Sequence, residues 1–170
     1  MSQKRGRATI LVVKGDKEVL KQLQLVLTAE LTAINQYFLH YGMMENWGYH
    51  RLAKIMRRAS IFEMKAAEEV LERMLYLEGP PDMTGLNRMR IGKNVQQQLE
   101  SDLVMAKDAS KDLNHAIGVA MKAGDNTTRE LLEGILLKEE DHIDFLEAQV
   151  HQIGEMGYER YLAEQMGDED

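Results

Sequence analysis

Proline occurs at only two positions in this chain, and the two are adjacent: Pro80 and Pro81. Proline stops a helix because it lacks a backbone N–H and its ring collides with the preceding turn. A chain of 170 residues with all its proline at one point can build long helices on either side. The apolar residues follow that rule. They recur at helical spacing as Leu20, Leu23, Leu27, Leu31, Ile34 and Phe38. This predicts a first helix, capped by Asp16, that ends near Asn46 with Gly48 as the break. A second starts near Tyr49, carries Leu52, Ile55, Met56, Ala59, Phe62, Ala66, Val70, Met74 and Leu77, and stops at residues 78–81, where Gly79 is expected to close it. Residues 79–93 read as a long loop. A third helix is expected over 94–123, a turn over 124–127, and a fourth helix over 128–153. Gly154 and Gly157 bracket a break before a short fifth helix over 158–166 and an acidic tail.

Four helices of this length make an all-α bundle. Short connections make the first and second antiparallel, and likewise the third and fourth. A helix of about 30 residues is roughly 45 Å long, and about fifteen extended residues reach roughly 50 Å. The middle loop can therefore cross the whole bundle and set the second and third helices parallel, the ferritin-like topology with one long crossover. An up-down bundle with a loose loop is the alternative.

Composition removes other classes. There is no cysteine, so disulfides, thiolate metal sites and cysteine nucleophiles are out. Any metal must be held by carboxylate, imidazole or thioether. The net charge of -7 argues against nucleic acid as a partner and suits cations. No apolar run approaches the roughly 20 residues of a membrane span. Lys4, Arg5 and Arg7 precede a short apolar patch over residues 8–13, which is too short for a signal-peptide core. A cytoplasmic protein is expected.

Acidic residues fall where a core should be. Glu30 lies beside Leu27, Leu31 and Ile34, Glu63 follows Ile61 and Phe62, and Glu139 and His142 follow Ile135, Leu136 and Leu137. A buried charge without a partner is costly, so such residues need a cation or a counter-charge. Glu30 and Glu63 are each about four turns from the bend at residues 46–48, so they should face each other. Glu139 and His142 are three apart and point to one side. Oxygen and imidazole donors together suit iron or manganese. On its own the Glu-x-x-His spacing reads equally well as a solvated glutamate and a capped histidine. The second such motif is half present, since Ala66 follows Glu63 at that spacing.

With these motifs in place, the chain resembles the bacterioferritins. The resemblance rests on residues 14–16 (KGD), 30–40 (ELTAINQYFLH), 46–48 (NWG), 60–65 (SIFEMK), 77–79 (LEG), 101–103 (SDL) and 139–144 (EEDHID). It runs in order from about residue 14 to 165. It implies an iron-storage shell of twenty-four subunits, with haem b at the two-fold dimer interfaces clamped by one methionine from each subunit. The matching residue here is Met64. Neighbouring helix residues point about 100° apart, so Glu63 can face inward while Met64 faces a partner. Thioether is a known axial ligand of haem iron. Set apart from the resemblance, Met64 is one of 12 methionines, most of which fill gaps in cores. A small bacterioferritin-associated ferredoxin is the implied electron donor.

The resemblance also exposes departures. The family's diiron centre has six ligands, and the matching positions here are Glu30, Glu63, Ala66, Ala106, Glu139 and His142. A histidine is missing at Ala66 and a glutamate at Ala106, one terminal ligand from each iron. Glu63 and Glu139 match the bridging positions. Arg58 and Ala59 replace histidine and acidic residues that face the cavity in typical members, and Arg51 and Arg57 add to a basic stretch. The expectation is a haem-carrying subunit with a degenerate ferroxidase centre, assembled with a second bacterioferritin subunit that holds an intact one. The alternatives are a working ferroxidase homopolymer on the four remaining ligands and a purely structural shell protein. Family members commonly begin Met-Lys-Gly-Asp, matching Val13 to Asp16 here. Residues 1–13 are therefore expected to be an extension or a start-site artefact, with the ferritin-like domain over 14–166 and the tail over 167–170.

Overall fold

The computed structural model describes residues 14–167. The expected extension over residues 1–13 and most of the expected tail, residues 168–170, lie outside the described residues. Five helices follow in order: α1 (Lys17–Asn46), α2 (His50–Tyr76), α3 (Val95–Lys122), α4 (Asn126–Met156) and α5 (Tyr158–Glu164). The first four form a ferritin-like all-α bundle, and α5 packs on the end of α4. Among the described residues no helix is long and apolar enough to cross a membrane.

The helix starts are capped by side chains. Asp16 accepts from the backbone N–H of Glu18 and Val19, Asn94 from Gln97, and Asp125 from Thr128. Each supplies an acceptor to N–H groups that have no partner in the first turn. The fourth helix starts two residues earlier than expected because Asp125 is its cap. It also runs through Gly154, where a break was expected. Gly154 is exposed and helical, and the break falls at Gly157, whose φ of 85° no helix can continue. The fifth helix stops at Glu164 rather than residue 166.

One helix end departs from the others. Gly48 and Gly124 take the left-handed conformation just past α1 and α3, but after α2 that place is filled by Glu78, at φ 58°. The N–H of Gly79 bonds to Met74 O, closing the end. Gly79 lies close against Leu20: a Cβ there would stand 2.3 Å from Leu20 Cδ2, so that side chain would have to shift.

The long connection crosses the bundle as expected. Its docking rail is a row of polar side chains one or two turns apart along α1. Gln24 exchanges two hydrogen bonds with the Asp82 backbone, at 2.8 and 2.7 Å. Thr32 Oγ1 then accepts from Asn87 N–H, Gln36 Oε1 from Arg90 N–H, and His40 Nε2 from Gly92 N–H. The contacts climb both chains together, so the loop runs the length of α1 in α1's own direction. A backbone without secondary structure needs such partners wherever water is excluded. The rail is anchored by Asp102 on α3. Its fully buried carboxylate accepts from Gln36 Nε2 at 2.7 Å and pairs with His40 Nδ1 at 2.9 Å. Because His40 Nε2 accepts from Gly92, the ring proton sits on Nδ1 and points at Asp102.

The core is divided. One apolar cluster joins Val19, Leu23, Leu27, Val70, Leu113 and Leu132 with Ala66. A second joins Met44, Leu52, Met56, Leu99, Leu146 and Tyr161 with Ala106. Glu30, Glu63 and Glu139 are all buried yet belong to neither. They form a polar layer at the waist of the bundle.

Candidate metal centre

Each acid at the waist comes from a different helix: Glu30 from α1, Glu63 from α2 and Glu139 from α4. All three are 3% exposed or less, so the carboxylate form has lost its water. Burial lifts Glu30 to about 7, moderated by a hydrogen bond from Glu63 and raised again by the charge of Glu139. Burial also holds Glu63 well above the usual carboxylate range, and its bond to Glu30 pushes the same way. Glu63 therefore carries the proton of a carboxyl–carboxyl pair. Glu139 is lifted to about 9, by burial and then by Glu63. With no cation present, protons neutralise the layer.

His142 completes the cluster from α4. Its ring lies edge-on to Tyr37 at 5.1 Å and stacks on Phe145 at 6.3 Å. Burial lowers it to about 4, so it is a neutral imidazole. Its Nε2 is buried with no hydrogen-bond partner, and so is Oε2 of Glu63. Buried polar atoms are nearly always satisfied, and both of these residues line one cavity between α2 and α4. Among the described residues, no three acid or imidazole side chains converge closely enough to hold a metal ion as they stand.

The waist opens on two sides. A cleft of about 400 Å³ reaches Glu30, Glu63 and Glu139 from the side of the crossover loop. Its mouth carries Arg88, Arg90 and Lys111 against Asp108 and Asp112, and Asp108 is already shared by Arg90 at 3.7 Å and Lys111 at 3.6 Å. A smaller cavity of about 280 Å³ reaches Glu63 and His142 between α2 and α4, beside Arg58, Ala59 and Lys138. Both mouths mix cationic and acidic side chains, Lys138 being paired with Asp141 at 3.6 Å in the second, so an arriving cation meets less attraction than a wholly acidic throat would give.

The structure thus brings together Glu30, Glu63, Glu139 and His142. Ala66 and Ala106 are 3% and 0% exposed, each packed in one of the two apolar clusters. Met64 stands apart, 54% exposed on α2. Ser60 Oγ donates to Ile34 O at 2.9 Å, which sets the register of α2 against α1. Sequence reasoning missed Tyr37, the fully buried ring against His142. Its signal was its place two turns after Glu30, on the same helix face.

A family model described as a ferritin-like domain matches residues 20–156. Bacterioferritin of Mycobacterium bovis is 42% identical over 152 residues, covering 89% of this chain and 96% of that protein. Bacterioferritin of Brucella melitensis is 40% identical over 149 residues, covering 88% and 92%. Bacterioferritin of Rhodobacter capsulatus is 38% identical over 145 residues, covering 85% and 90%.

Proposed function

Since this chain belongs to the bacterioferritin family of ferritin-like proteins and shares its iron-storage function, we propose that it is the haem-carrying kind of subunit, with weak or absent ferroxidase activity of its own. The burial of Ala66 and Ala106 carries this reading. A methyl group offers iron no lone pair, and both positions are packed in apolar surroundings. Two irons that need at least four donors each would have to share Glu30, Glu63, Glu139 and His142, and a full dinuclear centre does not fit that set.

Haem b fits better. A side chain that holds a haem between two subunits must stand outside its own bundle, and Met64 would do so with a soft thioether. When bound, the haem supplies one-electron transfer to the stored mineral. In this reading Met64 holds it at a two-fold axis, where symmetry presents two equivalent methionines. The chain then forms a cage of twenty-four subunits in the cytoplasm, together with a second bacterioferritin subunit that oxidises ferrous iron, and a bacterioferritin-associated ferredoxin donates electrons. The ferritin-like unit spans residues 14–166, with residues 1–13 an appended segment.

The test loads the metal-free protein with about two ferrous ions per subunit in air, the stoichiometry of a diiron site, and follows ferric absorbance over the first seconds. Slow drift is the expected result. The double substitution Ala66→His with Ala106→Glu should restore a stoichiometric burst. A burst in the unmodified chain would favour the competing reading, an active ferroxidase homopolymer on the four surviving ligands.

A further inference from the structure

We propose that Arg57 binds a propionate of the haem, one arginine from each subunit of the two-fold pair meeting one of the two carboxylates. This rests on the reading of Met64 as the haem ligand, and it adds the contact that fixes how the haem is turned in its site.

Haem b carries its two carboxylates on one edge, so a site between subunits needs cations as well as a soft ligand to iron. Arg57 lies on α2, before Met64 in the chain. The seven residues between them turn the helix to about 20° short of two full turns, over a rise of about 10 Å. The two side chains therefore leave α2 in nearly the same direction, and both are exposed. Among the described residues Arg57 has no ion pair or side-chain hydrogen bond of its own, whereas Lys54 and Arg58 are engaged. Direction separates the other cations as well. Lys65 leaves the helix about 100° away from Met64, Arg58 about 120° and Lys54 about 80°. Arg58 lines the cavity between α2 and α4 instead.

The stripe that carries Met64 is also polar in sign. Its cation, Arg57, precedes Met64, and the exposed acid nearest in direction, Glu68, follows one turn later. An anionic edge is drawn to the arginine side and repelled from the acid. Guanidinium suits this task, since its planar fork matches both oxygens of a carboxylate. Two-fold symmetry supplies two such arginines for two propionates. The contact has an electronic consequence. Ferrous haem carries one positive charge fewer than ferric, so a nearby cation favours the ferrous form and raises the reduction potential.

The test titrates the full-length, haem-free assembled protein with haem b and with its dimethyl ester, in which both carboxylates are blocked. The unmodified chain is expected to bind the free acid about tenfold more tightly than the ester, the size of a hydrogen bond to a charged group. Arg57→Gln should lose that preference and lower the reduction potential of the bound haem. Arg57→Lys should restore part of both, and Lys65→Gln should keep the preference. Equal affinity for acid and ester in the unmodified chain, with binding abolished in Met64→Leu, would overturn the arginine contact and leave the methionine reading intact. So would loss of the preference in Lys65→Gln with retention in Arg57→Gln. A haem-free Arg57→Gln chain that no longer assembles would overturn it by assigning Arg57 to a contact between subunits. No haem bound by the unmodified chain, or haem retained in Met64→Leu, would overturn both.

Discussion

Burial turns the acids of the waist into weak ones, at about 7 for Glu30 and about 9 for Glu139, against a usual 4.5. Each therefore keeps its proton in the folded chain at a pH where the unfolded chain has released it. Stability from these groups is greatest below about 4.5 and declines as pH rises, until about 7 for Glu30 and about 9 for Glu139. His142 has the opposite sign. Its value falls from 6.5 to about 4, so its contribution is full above 6.5 and is lost as pH falls through about 4. The melting temperature of the metal-free protein is expected to fall between pH 6.5 and 9. Glu139→Gln should flatten that slope, because an amide has no proton to release. Thermal melts across the range, with a chelator present, measure it. A flat profile in the unmodified chain would contradict the burial argument.

The elements depend on partners far away in sequence. The crossover has no secondary structure, and α1 holds it through Gln24, Thr32, Gln36 and His40. Asp102 holds two of those four from α3. Burial raises the Asp102 carboxyl, and the His40 and Gln36 bonds pull it back down. Asp102→Ala would leave His40 Nδ1 and Gln36 Nε2 buried without an acceptor. Breaking a buried pair in this way costs about 3 kcal/mol or more. The substitution should lower stability by that amount in denaturant titration and speed hydrogen exchange at the Arg90 and Gly92 amides. Gly92 itself tolerates no side chain, as a Cβ would lie 2.3 Å from Gln98 N.

For the whole molecule, α2 presents two different faces. Glu63 is 2% exposed and Met64, the next residue, 54%; in the proposed reading the inner face would serve the waist and the outer face a haem between subunits. Met64→Leu keeps the apolar bulk and removes the sulfur. It is expected to abolish haem binding while leaving cage assembly unchanged, measured by haem absorbance and by size-exclusion chromatography. Haem bound at undiminished stoichiometry would place the ligand elsewhere.

Periodicity and the two prolines were enough to read four long helices, a crossover and the cap at Asp16, because those depend on neighbours within a turn; the caps at Asn94 and Asp125 came with the structure. The shared face of Glu30 and Glu63 was readable too, since both are counted from one bend. That Ala66 and Ala106 match ligand positions of the family's centre is what the resemblance implies. Tertiary structure decided the rest. Whether a polar residue on α1 faces water or carries the crossover depends on a loop more than 50 residues away, which no local pattern records. Glu78 takes the left-handed cap that Gly79 was expected to supply, while Gly79 lies against Leu20. The proton shared by Glu30 and Glu63, and the orphaned nitrogen of His142, exist only because four helices exclude water from one layer. Sequence names the donors, but burial decides which of them are left without a partner.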